Sequence, residues 1–164
     1  MNQLETKTNQ QANELFGDRQ FMEILTVTIG GYPFAVPVLS VQEVLLAQSF
    51  IDVPLAPPVM KGMFSLRGQI VCGVNMHHRL GMEAPAEDAD SANIVIRDGD
   101  ELFSLVVDEV GEVIEIERSL YDQTPANIEE SWRTWTSGVI KLGTQLIVLL
   151  DVNALINQKA EKRA

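Results

Sequence analysis

Val59-Met60-Lys61-Gly62-Met63-Phe64-Ser65-Leu66 leads into Arg67-Gly68 and out again through Gln69-Ile70-Val71-Cys72-Gly73-Val74-Asn75. Two apolar runs face each other across a pair of turn residues, and the glycine in that pair takes positive φ at little cost. The stretch predicts strand, tight turn, strand, with residues 76–80 adding one helical turn before Gly81. The same texture runs outward in both directions. Residues 24–29 and 32–36 flank Gly30-Gly31, residues 94–97 and 102–107 flank Asp98-Gly99, and residues 139–142 and 146–150 flank Gly143-Thr144. Residues 112–117 alternate between polar and apolar, as a strand with one wet face does. Turn signals about every ten residues predict a mainly β sandwich or barrel, with residues 152–156 as a closing helical turn.

Residues 1–20 are polar apart from Leu4, Ala12, Leu15 and Phe16, and predict a flexible lead-in or weak helix outside the core. Residues 83–91, rich in Ala, Pro, Glu and Asp, predict a solvated loop and an internal boundary. The halves on either side echo one another. Val41-Gln42-Glu43-Val44 recurs as Val110-Gly111-Glu112-Val113, and the hairpin around Gly68, ending in Asn75, has a counterpart around Gly143, ending in Asp151. The offsets, 113 minus 44 giving 69 and 143 minus 68 giving 75, require an insertion, which residues 121–135 can hold. Two related small barrels are expected, the first about residues 21–80 with part of the C-terminal segment and the second about 93–145. Residues 158–164 form a charged tail.

Composition narrows the function. A chain of 164 residues with 46% hydrophobic content can bury a core. With 23 acidic against 12 basic residues, a net charge of -11 repels phosphate backbones and anionic membranes, which argues against nucleic acid as a partner. One cysteine forms no disulfide framework, and no apolar stretch is long enough to span a bilayer. A cytoplasmic location without membrane insertion is expected.

Chemistry is hard to assemble. His77 and His78 are adjacent, so their side chains diverge, and a solvated helix face is the simplest reading. Cys72 sits in an apolar run that predicts an inert core thiol. Asp98, Asp100 and Glu101 lack the remaining ligands of a calcium loop and read as a hairpin turn. Gly62, Gly68 and Gly73 match no phosphate-binding fingerprint. Trp132 and Trp135 read as core residues or loop anchors before partner contacts. No catalytic residue, cofactor or metal site is expected. The unusual feature is Arg67, a fixed charge between apolar runs, and Glu43 is its best partner, in a structural ion pair or a binding site.

These residues resemble the CheW-like domain from about residue 21 to 157. Four blocks carry the resemblance: residues 34–44, residues 54–62 with Ser65-Leu66-Arg67-Gly68-Gln69-Ile70-Val71, Leu105-Val106-Val107-Asp108-Glu109-Val110, and Gly138-Val139-Ile140-Lys141-Leu142 through Leu150-Asp151. The resemblance implies two SH3-like, five-stranded β-barrels around a shared core. It also implies a non-enzymatic adaptor that links the cytoplasmic tip of methyl-accepting chemoreceptors to the regulatory domain of the histidine kinase CheA within receptor arrays. By matching positions, Glu43 and Arg67 resemble the family's paired charges at the receptor groove, and Val41 the adjacent apolar contact. Gly73 and Asn75 depart from the family's usual Pro and Asp. A scaffold of another kinase pathway, serving surface motility or gene control, is the nearest alternative, and a small ligand-binding β-barrel the next.

Overall fold

The computed structural model describes residues 3–157, so the charged tail at 158–164 lies outside the described residues. Helix α1 (Gln3–Phe16) precedes the hairpin of β1 (Phe21–Ile29) and β2 (Tyr32–Pro37). An edge strand, β3 (Glu43–Leu46), the hairpin of β4 (Met60–Leu66) and β5 (Gln69–Asn75), and the one-turn helix α2 (Met76–Arg79) follow. The order then repeats. The hairpin of β6 (Ala92–Asp98) and β7 (Glu101–Val107) leads to β8 (Glu109–Glu117), β9 (Tyr121–Asp122) and α3 (Glu130–Arg133). The hairpin of β10 (Thr136–Leu142) and β11 (Gln145–Leu150) and helix α4 (Val152–Ile156) complete it.

Strand register makes the repeat quantitative. Val44 faces Ile94 in one sheet and Val113 faces Leu25 in the other; 113 minus 44 and 94 minus 25 are both 69. Across the two parallel pairs, Cys72 faces Phe103 and Val148 faces Phe34, and 148 minus 72 is 76. The expected offset of 75 for the second hairpin is therefore corrected to 76, which equates Arg67 with Gly143 and Gly68 with Thr144. The turn in the β6–β7 hairpin is also one residue later than expected, at Gly99-Asp100, because Asp98 pairs with Glu101.

The copies exchange hairpins. Strand order is β8-β1-β2-β11-β10-β9 in the six-stranded sheet and β3-β6-β7-β5-β4 in the five-stranded one. Each copy's first hairpin thus pairs with the other copy's remaining strands, so the boundary at 83–91 divides sequence repeats and not sheets in space. Strand pairing therefore crosses the expected division into barrels at about 21–80 with part of the C-terminal segment and about 93–145.

The described residues form no closed barrel, but the segment after β3 turns back to bridge β4, the opposite edge of the five-stranded sheet. Ile51, downstream of β3, exchanges two backbone hydrogen bonds with Met63 on β4, at 2.7 and 2.9 Å. In the other sheet, Asp122 takes the matching place opposite Val139. Both closures need glycine. A Cβ on Gly62 would lie 2.6 Å from the Ile51 carbonyl oxygen, and one on Gly138 2.7 Å from that of Asp122, at φ of 146° and 150°.

Three cores result. The largest lies between the sheets and includes Phe34, Val36, Ile94, Leu105, Leu150 and Leu155. A second lies inside the six-stranded sheet, and a third, of Phe64, Val71, Val95 and Leu102, inside the five-stranded one. The lead-in is corrected here. Ala12 and Phe16 of α1 are buried in the second core, with the Phe16 ring edge-on to Tyr121 at 6.2 Å. Gly17, at φ 61°, ends the helix by donating to the Asn13 carbonyl. Arg118 then fixes it from outside, lying over the Phe16 ring and donating to the Gly17 carbonyl at 3.0 Å. Helical spacing of Ala12 and Phe16 outweighs the polar composition around them.

Candidate functional site

Arg67 and Glu43 are brought together. Arg67 stands in the β4–β5 turn at φ 49°, followed by Gly68 at 83°, a turn with both central residues left-handed that suits the twist of the strands. Its guanidinium reaches across the curled sheet to the Glu43 carboxylate, at the start of edge strand β3. The pair stays wet, with 68% of the Arg67 side chain and 24% of the Glu43 side chain exposed. Such a pair contributes about 0–1 kcal/mol, while a non-glycine residue in the left-handed region costs roughly 1 kcal/mol. Its counterpart, Gly143 at φ 59°, holds the same backbone shape at no such cost. Stability alone gives no reason for arginine at position 67.

A second arginine extends the charged surface. Arg97, on β6, donates through Nε to Gln42 Oε1 at 2.9 Å and through its terminal nitrogen to Gln69 Oε1 at 3.4 Å. It thereby joins the segment before β3 to the residue that follows the Arg67 turn. Sequence reading missed Arg97, since nothing in a charged residue beside a turn signals a partner 55 positions away. Val41 is half-buried against the shared core. It lines a groove of about 300 Å³ with Leu39, Gln42, Ile96, Arg97 and Ile156, and Leu39 stands on its lip, 75% exposed. The three anticipated residues therefore share one surface, linked through Gln42 and Arg97. Val44 and Leu46 on the neighbouring edge strand are also exposed.

Other polar residues serve the fold. His77 is buried, contrary to the expectation of a solvated face. Its Nε2 lies 2.6 Å from Asp108 Oδ1 and its Nδ1 3.1 Å from the Glu83 carbonyl oxygen, while Asp108 Oδ2 accepts from the Gly30 amide at 2.7 Å. The trio ties α2 to the β1–β2 turn. Arg79 is also buried, stacked on Trp135 at 4.3 Å and donating to the Leu155 carbonyl at 3.0 Å, and burial lowers its pKa. Trp132 anchors its loop, as expected, by donating from Nε1 to the Leu80 carbonyl at 3.0 Å.

The departures at 73 and 75 have local explanations. Asn75 Oδ1 accepts from the His78 amide at 3.2 Å, as Asp151 Oδ1 does from Ala154 at 3.1 Å, so the helix cap survives the change of acid to amide. A Cβ at Gly73 would lie 2.4 Å from the Phe50 ring. Cys72 is half-buried rather than fully enclosed and packs against the shared core. Tyr121, the counterpart of Phe50, donates to the Ser137 carbonyl at 2.6 Å, and burial, with Asp122 and Glu14 nearby, pushes its hydroxyl pKa up to about 12.

Among the described residues, no group of three or more His, Cys, Asp and Glu is placed to hold a metal ion, and no helix is long and apolar enough to cross a membrane. The fold and site define a duplicated, mainly β protein that displays a charged pair and a groove of mixed polar and apolar lining. The chain belongs to the CheW-like domain family, whose family model matches residues 23–160. It is 25% identical over 146 residues to the chemotaxis protein CheW of Treponema pallidum, covering 87% of this chain and 85% of that protein. It is 24% identical to the chemotaxis protein CheW of Helicobacter pylori, over 96% of this chain and 98% of that protein. The crystal structure of the scaffolding protein TtCheW from Thermoanaerobacter tengcongensis superposes with a TM-score of 0.72 at 22% identity, covering 79% of this chain and 88% of that one. These relatives support a role as a chemotaxis scaffold.

Proposed function

We propose that this protein couples methyl-accepting chemoreceptors to the histidine kinase CheA at cytoplasmic receptor arrays, and that Val41, Glu43 and Arg67 belong to its receptor-binding surface. The observation that carries the site is Arg67 at φ 49°, exposed and paired with Glu43, where the other copy of the repeat uses glycine. A strained residue with little structural return is best explained by what it meets outside the molecule. Leu39 and Val41 supply the apolar part of such a contact and Arg67 a fixed donor fork on the same surface. Each sheet, curled about its own core, is read as one SH3-like barrel of the family. Work of this kind requires no bond making, and binding accounts for the site as described.

The test uses Arg67→Gly, which keeps the turn geometry that alanine would strain. Affinity for a chemoreceptor cytoplasmic fragment should fall about tenfold, while affinity for the regulatory domain of CheA stays unchanged. Unchanged receptor affinity in a folded Arg67→Gly protein would remove the assignment. Loss of both affinities would place the kinase on the same surface.

A further inference from the structure

We infer that the groove between α4 and the β5–β7 pair is a second docking site, shaped for a segment of another protein that presents a large aromatic side chain beside lysine or arginine. The groove has a volume of about 850 Å³, with Phe103, Ile156, Cys72 and Met60 in its lining and Asp98, Asp100 and Glu101 along its margin. It is distinct from the Val41 groove, which lies across β6 and meets it only at Asn153 and Ile156.

The other copy of the repeat shows what such a groove accepts. There Trp132 packs on Tyr32 and Phe34, with ring centroids 5.1 and 5.0 Å away, and donates to the Leu80 carbonyl. Ser131 donates to the same carbonyl at 3.2 Å and lies against Gly81. By the register offsets of 69 and 76, Tyr32, Phe34, Leu80 and Gly81 correspond to Glu101, Phe103, Ile156 and Asn157. All four counterparts line the open groove.

Loop length explains why one seat is filled from within. The segment that carries Trp132 runs from Asp122 to Gly138, and its counterpart from Ile51 to Gly62 is five residues shorter, 138 minus 122 being 16 and 62 minus 51 being 11. Residues 52–59 carry no aromatic side chain, and the segment from Ile51 to Gly62 reaches the groove at Pro57 and Met60. Phe103 and the Ile156 carbonyl thus repeat the Trp132 seat, while glutamate replaces tyrosine at its edge. That exchange sets the partner's chemistry: an aromatic anchor for the floor and a cation for Glu101, Asp98 and Asp100.

The probe is a dye-labelled helical peptide of about twelve residues with one central tryptophan between lysines, titrated into the full chain by fluorescence anisotropy. Binding should weaken about tenfold in Asp98→Lys/Glu101→Lys and about fivefold when the peptide tryptophan becomes alanine. Glu112→Lys/Glu115→Lys on β8, with the same change in net charge, should have little effect. Amide resonances of Phe103, Ile156 and Asn157 should shift on binding. Equal weakening by both charge reversals, or no binding up to about 1 mM, would overturn the inference. So would binding that appears only after removal of residues 158–164, since that outcome gives the groove to the chain's own Lys159, Lys162 and Arg163.

Discussion

In the six-stranded sheet, Ile24 and Ala35 are fully buried among apolar neighbours; at their counterparts in the five-stranded sheet stand Asn93 and Ser104, equally buried. Ser104 donates to Asn93 Oδ1 at 2.8 Å, and Asn93 donates to the Leu46 carbonyl at 3.1 Å, so the polar pair fixes edge strand β3 from inside. The cores differ accordingly. Among the described residues, ten buried ones, two of them from α1, fill the six-stranded sheet, against four in the five-stranded one. The sheet with the thinner core carries Arg67 and Glu43 and, with α4, borders both grooves. One sheet fills its repeat positions with apolar side chains, and the other holds the same backbone with buried hydrogen bonds.

The largest effect should come from the helix that only one sheet possesses. Phe16→Ala removes a fully buried ring from the core inside the six-stranded sheet, and should cost about 3–5 kcal/mol in urea unfolding. A loss under about 0.5 kcal/mol, the range of ordinary surface changes, would make α1 a mere attachment and leave the sheets more alike than their cores suggest. Next come the paired glycines. Gly62→Ala and Gly138→Ala each force a Cβ against a carbonyl oxygen at positive φ, and each should cost about 2–4 kcal/mol. Matching losses would support equal closure of the two sheets; tolerance at one position would break the equivalence.

The Tyr121–Phe50 pair gives a test in pH. Tyr121 has a raised folded pKa, about 12 against an unfolded value of 10.0, so its stabilising contribution is complete below pH 10 and disappears as pH rises from 10 to 12. A difference of that size is at most about 3 kcal/mol, and solvent screening of the partly exposed hydroxyl lowers it. Tyr121→Phe, which copies position 50, should flatten that alkaline loss at the cost of the Ser137 hydrogen bond. An unchanged alkaline limb in the variant would assign the loss to another group.

Much of this was legible in the sequence, and the failures share a cause. Turn pairs at Gly30-Gly31, Arg67-Gly68 and Gly143-Thr144 mark hairpins because backbone sterics act locally, and Asn75 and Asp151 mark helix starts for the same reason. The Arg67–Glu43 pair could be anticipated because a charge flanked by apolar runs requires a nearby carboxylate. The exchange of hairpins could not: a strand's pattern tells which face is buried, not which of two similar edges it joins. Phe16, His77 and Arg97 were misjudged or missed because their partners lie at positions 121, 108 and 42, and no local signal reaches so far.

The smallest effect on stability should separate structure from function most clearly. Arg67→Gly gives the β4–β5 turn the residue that its counterpart already has at Gly143, so folding stability should rise by about 0.5–1 kcal/mol or hold steady. The reverse change, Gly143→Arg, places arginine at φ 59° and should lose about 1 kcal/mol. Opposite signs in urea unfolding would establish that arginine is the costly choice at this turn. With that sign in hand, a fall in receptor affinity for the more stable Arg67→Gly protein could not be attributed to damaged folding. A clear loss of stability in Arg67→Gly would instead mean that the Glu43 contact holds the sheet edges together, and the strained arginine would then be explained by the fold.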